Sequence, residues 1–148
     1  MYNPNKMRWI CYRKESNGLI VEKNGCFNIK CRPKIEIFSD CFPGNINFGD
    51  IDGMVEINGF GLLLEWKSLK PILKVAQEIM YKKLTKTGLI SVIAVFGDAE
   101  MMVVKKHCWF RMGKCSEGWV ESNLDKTKDE IKAWVKYYAR VGDQGDKL

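Results

Sequence analysis

Residues 49–67 read Gly49-Asp50-Ile51-Asp52-Gly53-Met54-Val55-Glu56-Ile57-Asn58-Gly59-Phe60-Gly61-Leu62-Leu63-Leu64-Glu65-Trp66-Lys67. Two runs rich in apolar residues, 51–57 and 60–66, flank Asn58-Gly59. That dipeptide suits a two-residue turn with positive φ at both central positions, so the stretch predicts an antiparallel hairpin. With Asn58 and Gly59 as the loop, Ile57 faces Phe60, Val55 faces Leu62 and Asp52 faces Glu65; a three-residue loop slips this pairing by one. In the two-residue register the carboxylates of Asp52 and Glu65 lie across from each other, with Cβ atoms about 4.5–5.5 Å apart. Lys67 shares the face of Glu65, and Asp50 faces Lys67. Carboxylates this close repel each other unless a cation lies between them.

On the C-terminal side of the hairpin, Pro71 stands where a helix would begin. Ile72, Leu73, Val75, Ala76, Ile79, Met80 and Leu84 then recur at helical spacing, and Gly88 closes the segment. Residues 89–96 form a continuous apolar run suited to a buried central strand. Another strand is expected over 101–106, extending toward Phe110. Asn123, or Ser122 before it, caps a last helix whose buried stripe is Leu124, Ile131, Trp134, Val135 and Tyr138. On the N-terminal side, 7–12, 19–22 and 34–38 read as strands, with turns at Asn17-Gly18 and Asn24-Gly25 and a loop over 40–49. The order βββαββα predicts a mixed sheet with helices, an α/β or α+β fold. One domain over 1–148 is expected: a basic, cysteine-containing portion (1–45), a motif-bearing core (46–96), and a strand with the C-terminal helix (97–148).

The chain has 148 residues, 46% of them hydrophobic and 28% charged. This excludes a disordered chain and a disulfide miniprotein. No apolar run reaches the roughly 20 residues of a membrane span, and Met1-Tyr2-Asn3-Pro4-Asn5-Lys6 is unlike a signal peptide, so no membrane association and a cytoplasmic location are expected. The six cysteines are then expected to be reduced thiols. The formal charge of +6 is unevenly spread. Residues 1–34 carry eight Lys/Arg and two Glu; 35–66 carry six acids and no Lys or Arg; 67–86 carry six Lys and one Glu. An acidic segment between two basic ones suits a cation site within a polyanion-binding surface, or else solvated loop charge.

Clustered carboxylate oxygens suit hard ions such as Mg²⁺ or Mn²⁺, which keep several waters and bind substrate phosphates. Asp52, followed after twelve residues by Glu65-Trp66-Lys67 at a strand end, resembles the active-site motif of the PD-(D/E)XK nuclease superfamily. Gly49-Asp50-Ile51-Asp52 is similar to the Gly-x-Ile/Val-Asp form of its RecB-type branch, and Gln77-Glu78-Ile79-Met80-Tyr81 to that branch's Gln-x-x-x-Tyr helix. The resemblance spans about residues 46–96. It implies a restriction-endonuclease-like fold, a mixed central sheet flanked by helices, and Mg²⁺- or Mn²⁺-dependent hydrolysis of DNA. Asp52 and Glu65 would hold the metal with Asp50 as a lesser participant, Lys67 would be the catalytic lysine, and Gln77 and Tyr81 would serve the active site or contact DNA. Lys70 and Lys74, on the same helical stripe, with Lys82, Lys83, Arg8 and Arg13, are the expected DNA contacts. Duplex, single-stranded and branched DNA are all admissible partners, and a homodimer would let so small a chain cut both strands.

Other features read differently. Glu130-Ile131-Lys132 repeats the acid-x-Lys spacing but sits on the last helix as an ordinary surface. No Cys-x2-Cys pair signals zinc; the nearest spacings are Cys26-x4-Cys31, Cys31-x9-Cys41 and Cys108-x6-Cys115, and Cys11 stands apart. His107, the one histidine, is expected at a strand end. Arg8-Trp9, Tyr12-Arg13 and Trp109-Phe110-Arg111 place aromatics beside cations, either as base-stacking platforms or as core and rim. Two other functional classes fit the same fold: a catalytically silent nucleic-acid-binding module, and an interaction protein of a phage or mobile element.

Overall fold

The computed structural model describes residues 12–14, 20–22 and 35–145, and side chains from 35 to 141. It divides into two compact units, Met1–Gly49 and Asp50–Leu148.

In the first unit, β1 (Tyr12–Lys14) runs antiparallel to β2 (Ile20–Glu22), with Tyr12 opposite Glu22. The rest of the strand expected over 7–12, Leu19, both turns and Arg8 lie outside the described residues. The strand expected over 34–38 is not formed: Ile35–Cys41 is a 3₁₀ helix. Alternation of charged and apolar residues is only half of a strand signal. The other half is a partner ladder, and here i→i+3 bonds satisfy the backbone locally instead. Phe48 meets Phe38 and Phe42 edge-on, at 5.9 and 5.1 Å between centroids.

The second unit is α+β, and its sheet has six strands among the described residues. Its elements are β3 (Gly53–Ile57), β4 (Phe60–Lys67), α1 (Val75–Leu84), β5 (Ile90–Asp98), β6 (Val103–Arg111), β7 (Lys114–Cys115), β8 (Val120–Glu121) and α2 (Leu124–Gly145). The sheet order is β3-β4-β5-β6-β7, with β8 on β6. Strands β4 and β5 are parallel and α1 connects them; the other pairs are antiparallel. Asn58 and Gly59, at φ 51° and 83°, form the two-residue turn, and Ile57↔Phe60 through Gly53↔Leu64 keep the register read from the sequence. β7 and β8 are too short to show a period in the sequence.

Alternation along β4 sends side chains to two cores. Leu62, Leu64 and Trp66 join Ile93, Val95, Val104 and Trp109 beneath α2, where Leu124, Ile131, Trp134, Val135 and Tyr138 form the expected stripe. Leu63 joins Val92, Ala94, Cys108 and Phe110 on the other face, under Tyr81 of α1. Asn123 caps α2: its Oδ1 accepts the Lys126 N–H at 2.8 Å. The Glu130 carboxylate is not plain surface, since it accepts Trp109 Nε1–H at 2.6 Å and lies 2.9 Å from His107 Nε2. His107 itself is fully buried in the middle of β6 rather than at a strand end. Burial pushes its pKa below the usual value, with Glu130 opposing and Lys126 adding to the shift. Trp109 and Phe110 are core residues, and Arg111 lies 4.0 Å over the Trp109 ring.

Pro71 does not open the helix. Residues 71–74 are irregular and α1 begins at Val75. The chain needs this extended stretch to leave the end of β4, and Leu73 pins it to the core on the way. The apolar repeat turns largely outward, with Ile72, Val75, Ile79, Met80 and Leu84 exposed; Tyr81 is the one buried residue of α1. No described helix is long and apolar enough to cross a membrane.

The register between β5 and β6 shifts at Phe96/Gly97, where a Cβ on Gly97 would lie 1.8 Å from the Val103 carbonyl oxygen. Backbone cannot yield as a flexible side chain does. Gly97→Ala is therefore expected to abolish cooperative folding, whereas Gly61→Ala, whose new methyl would meet only side-chain atoms at 3.8 Å, leaves a cooperative thermal melt.

Candidate active site

The hairpin end and the first turns of α1 converge on one carboxylate. Glu65 and Lys67 point from the same face of β4, and Lys67 Nζ lies 2.8 Å from Glu65 Oε1. Gln77, on α1, donates from Nε2 to the same oxygen at 3.1 Å and accepts from Lys67 Nζ through Oε1 at 3.0 Å. Tyr81, one turn further, donates its hydroxyl to Glu65 Oε2 at 3.0 Å. Ala94, the neighbour of Glu65 across the parallel pairing, adds only a methyl group beside this network. The i,i+4 pair Gln77/Tyr81 thus fixes which face of α1 looks at the sheet, and so turns the apolar residues outward.

Asp52 is held by a different device. Continuing the β3–β4 register would bring the Trp66 N–H to the Ile51 carbonyl, but β3 starts only at Gly53. Asp52 Oδ2 takes that place, accepting the Trp66 N–H at 2.6 Å. The Trp66 side chain goes to the opposite core, where its Nε1–H donates to the Gly97 carbonyl at 3.1 Å. Burial, then the negative charge and hydrogen bond of Glu65, then the charge of Asp52, push the Tyr81 pKa far above its ordinary value near 10. Both carboxylates therefore act on one phenol.

Of the expected residues, Asp52, Glu65, Lys67, Gln77 and Tyr81 are brought together. Asp50 lies in irregular chain ahead of β3, and among the described residues no three His, Cys, Asp or Glu side chains form a group able to hold a metal by themselves. Lys70 and Lys74 both precede α1, Lys74 as its N-cap, instead of sharing its stripe; they are exposed, as is Lys83. Lys82 is bound to Glu78 at 2.7 Å. Arg13 is in β1, and Arg8 is outside the described residues. Thr85, which no sequence pattern singles out, is fully buried; its hydroxyl donates to the Tyr81 carbonyl at 2.8 Å and accepts the Gly113 N–H at 3.1 Å. No local pattern reveals a bond between positions 28 apart.

Chemically, the site offers two carboxylates, a fixed ammonium, an amide that bridges acid and lysine, and a phenol held protonated. Among the described residues Asp52 Oδ1 accepts no hydrogen bond, and Glu65 Oε2 accepts one, from Tyr81. This donor set fits a hard divalent cation that completes its shell with water and substrate oxygens, as Mg²⁺ does with one or two carboxylates. No family model matches the chain, and neither the curated proteins nor the solved structures include a significant match.

Tyr81 gives a direct check of this geometry. Its raised pKa means that folding holds a proton which the unfolded chain releases near pH 10. The associated stability is whole below that pH and falls as pH rises above it. In the parent, one of the five tyrosines should resist alkaline titration while the fold persists, read by phenolate absorbance. Tyr81→Phe should remove the resistant phenol, flatten the alkaline loss of stability, and cost about 1.5–3 kcal/mol in urea unfolding at neutral pH.

Proposed function

We propose that the chain is a metal-dependent deoxyribonuclease of PD-(D/E)XK type on a restriction-endonuclease-like fold. The observation that carries this reading is the hydrogen-bonded network of Glu65, Lys67, Gln77 and Tyr81, built from the end of β4 and from α1, with Asp52 bonded to the Trp66 N–H between Glu65 and Lys67 and close enough for its charge to act on Tyr81. Asp52 and Glu65 are the residues that would hold Mg²⁺ or Mn²⁺. When bound, the ion would stabilise charge on the attacked phosphate and acidify water. Lys67 supplies a positive charge aimed at the same place; Glu65 and Gln77 fix its Nζ so that it can orient water or hold a phosphate oxygen. Gln77 also fixes Glu65, and Tyr81 holds the far carboxylate oxygen without competing as a base. Lys70, Lys74 and Lys83, all exposed, would take phosphates of a bound nucleic acid.

A catalytically silent nucleic-acid-binding module is favoured by one observation: three protein donors, from Lys67, Gln77 and Tyr81, already compensate the Glu65 carboxylate. Cleavage of labelled duplex, single-stranded and branched DNA with Mn²⁺ separates the two. The nuclease reading predicts that Lys67→Ala lowers the rate about 10²–10⁴-fold while DNA affinity stays within a few-fold. No Mn²⁺-dependent cleavage of any substrate by the parent supports the silent module. DNA affinity should also fall steeply with salt, and Lys74→Ala should reduce the logarithmic slope by about 0.7–0.9.

A further inference from the structure

The sheet face under α1 carries two cysteines that the proposed reaction does not use. Cys108 in β6 and Cys115 in β7 belong to the same core cluster as Leu63, Tyr81 and Phe110. Their Sγ atoms are 3.0 Å apart. The hairpin between them is closed by a two-residue turn, Met112 and Gly113 at φ 52° and 80°, with Arg111 opposite Lys114 and Phe110 opposite Cys115. Cys108 is therefore diagonal to Cys115 on one face of the registered pair, where diagonal side chains come within reach of each other, and the two sulfurs are already in contact. Cys108 is buried, whereas Cys115 is partly open to solvent. Cys41, the third thiol among the described residues, is exposed in the other unit, so it provides an internal control.

We infer that Cys108 and Cys115 form a reversible dithiol–disulfide site, closed by a peroxide-class oxidant and reopened by a small thiol. In the first step the Cys115 sulfur attacks a peroxide oxygen. An S–O bond forms, the O–O bond breaks, and the leaving oxygen departs as water once protonated, so that Cys115 is oxidised to a sulfenic acid. The Cys108 sulfur then attacks the Cys115 sulfur. An S–S bond forms, the S–O bond breaks, and the thiol proton leaves with the hydroxide as a second water. One peroxide is reduced for each disulfide made. In the reverse direction a small thiol attacks one protein sulfur, breaking the S–S bond to give a mixed disulfide. A second small thiol attacks the small-thiol sulfur of that mixed disulfide, so that both protein sulfurs regain protons and the small thiol is oxidised to its own disulfide. Burial, then the hydrogen bond with Cys115, raises the Cys108 pKa, so this thiol waits protonated as the resolving partner. Thr85 and Gly113 tie the same hairpin to the end of α1, and Tyr81 rests on Phe110 with centroids 5.5 Å apart, which places the site beside the helix that presents Gln77 and Tyr81.

The full chain is treated with hydrogen peroxide, blocked with iodoacetamide, and digested with trypsin without reductant. Cleavage after Lys106, Arg111, Lys114 and Lys126 puts the two cysteines on separate peptides, 107–111 and 115–126. The expected product is these two peptides joined, two hydrogens lighter than their sum, and separated again by dithiothreitol. In Cys108→Ala the reaction should stop at a sulfenic acid on Cys115 that dimedone traps. The parent result needs no substitution, so a poorly folding variant does not decide the matter. Unlinked thiols after peroxide, Cys115 carried on to sulfinic acid in the parent, or Cys115 joined to any cysteine other than Cys108 would each overturn the inference.

Discussion

The Glu65 carboxylate, held by Lys67, Gln77 and Tyr81, is the constraint around which the second unit is arranged. A nearly buried carboxylate is tolerable only with its lone pairs engaged, and an opposite charge must sit close by. β4 supplies that charge two residues later on the same face. α1 supplies the remaining donors from adjacent turns. Once these bonds are made, the rotation of α1 is fixed, even though that rotation leaves Val75, Ile79 and Met80 in solvent. An amphipathic helix placed by apolar burial alone would turn the other way. The site, rather than the core, decides how this helix sits.

The hairpin was the most legible part of the chain because its information is local. Asn58-Gly59 dictates a turn with positive φ, the turn dictates the register, and the register runs to Gly53↔Leu64, the pair next to Asp52 and Glu65 in sequence. The β5 strand and the α2 stripe were legible for similar reasons: a continuous apolar run has few other homes, and Leu124, Ile131, Trp134, Val135 and Tyr138 recur on one helical face. Gln77 and Tyr81 were legible through the resemblance, since their apolar neighbours gave the stronger periodic signal and pointed to the wrong face.

What was not legible depends on partners remote in sequence. Residues 35–38 alternate like a strand, yet form a 3₁₀ turn because alternation does not create a neighbouring strand. Pro71 is favourable at a helix start, but Leu73 must first reach the core, so α1 begins later. Glu130 looks like any helix-surface acid until Trp109 and His107 arrive from β6. Its acid-x-Lys spacing matches that of Glu65, and the difference lies wholly in what faces it. The Trp66 N–H taken by Asp52 could not be foreseen either, since it depends on where β3 ends.

In the proposed nuclease, Asp52 and Glu65 would hold a divalent cation within the frame of Lys67, Gln77 and Tyr81. Titration calorimetry with Mn²⁺ on the parent and on Asp52→Asn decides whether they do. Asparagine keeps an oxygen for the Trp66 N–H while removing the charge, so the fold should survive the exchange. One Mn²⁺ should bind per parent chain, and binding should weaken by at least about tenfold, some 1.4 kcal/mol, in Asp52→Asn. Equal Mn²⁺ binding by the two proteins, or none by either, with duplex DNA included in the cell, would contradict it.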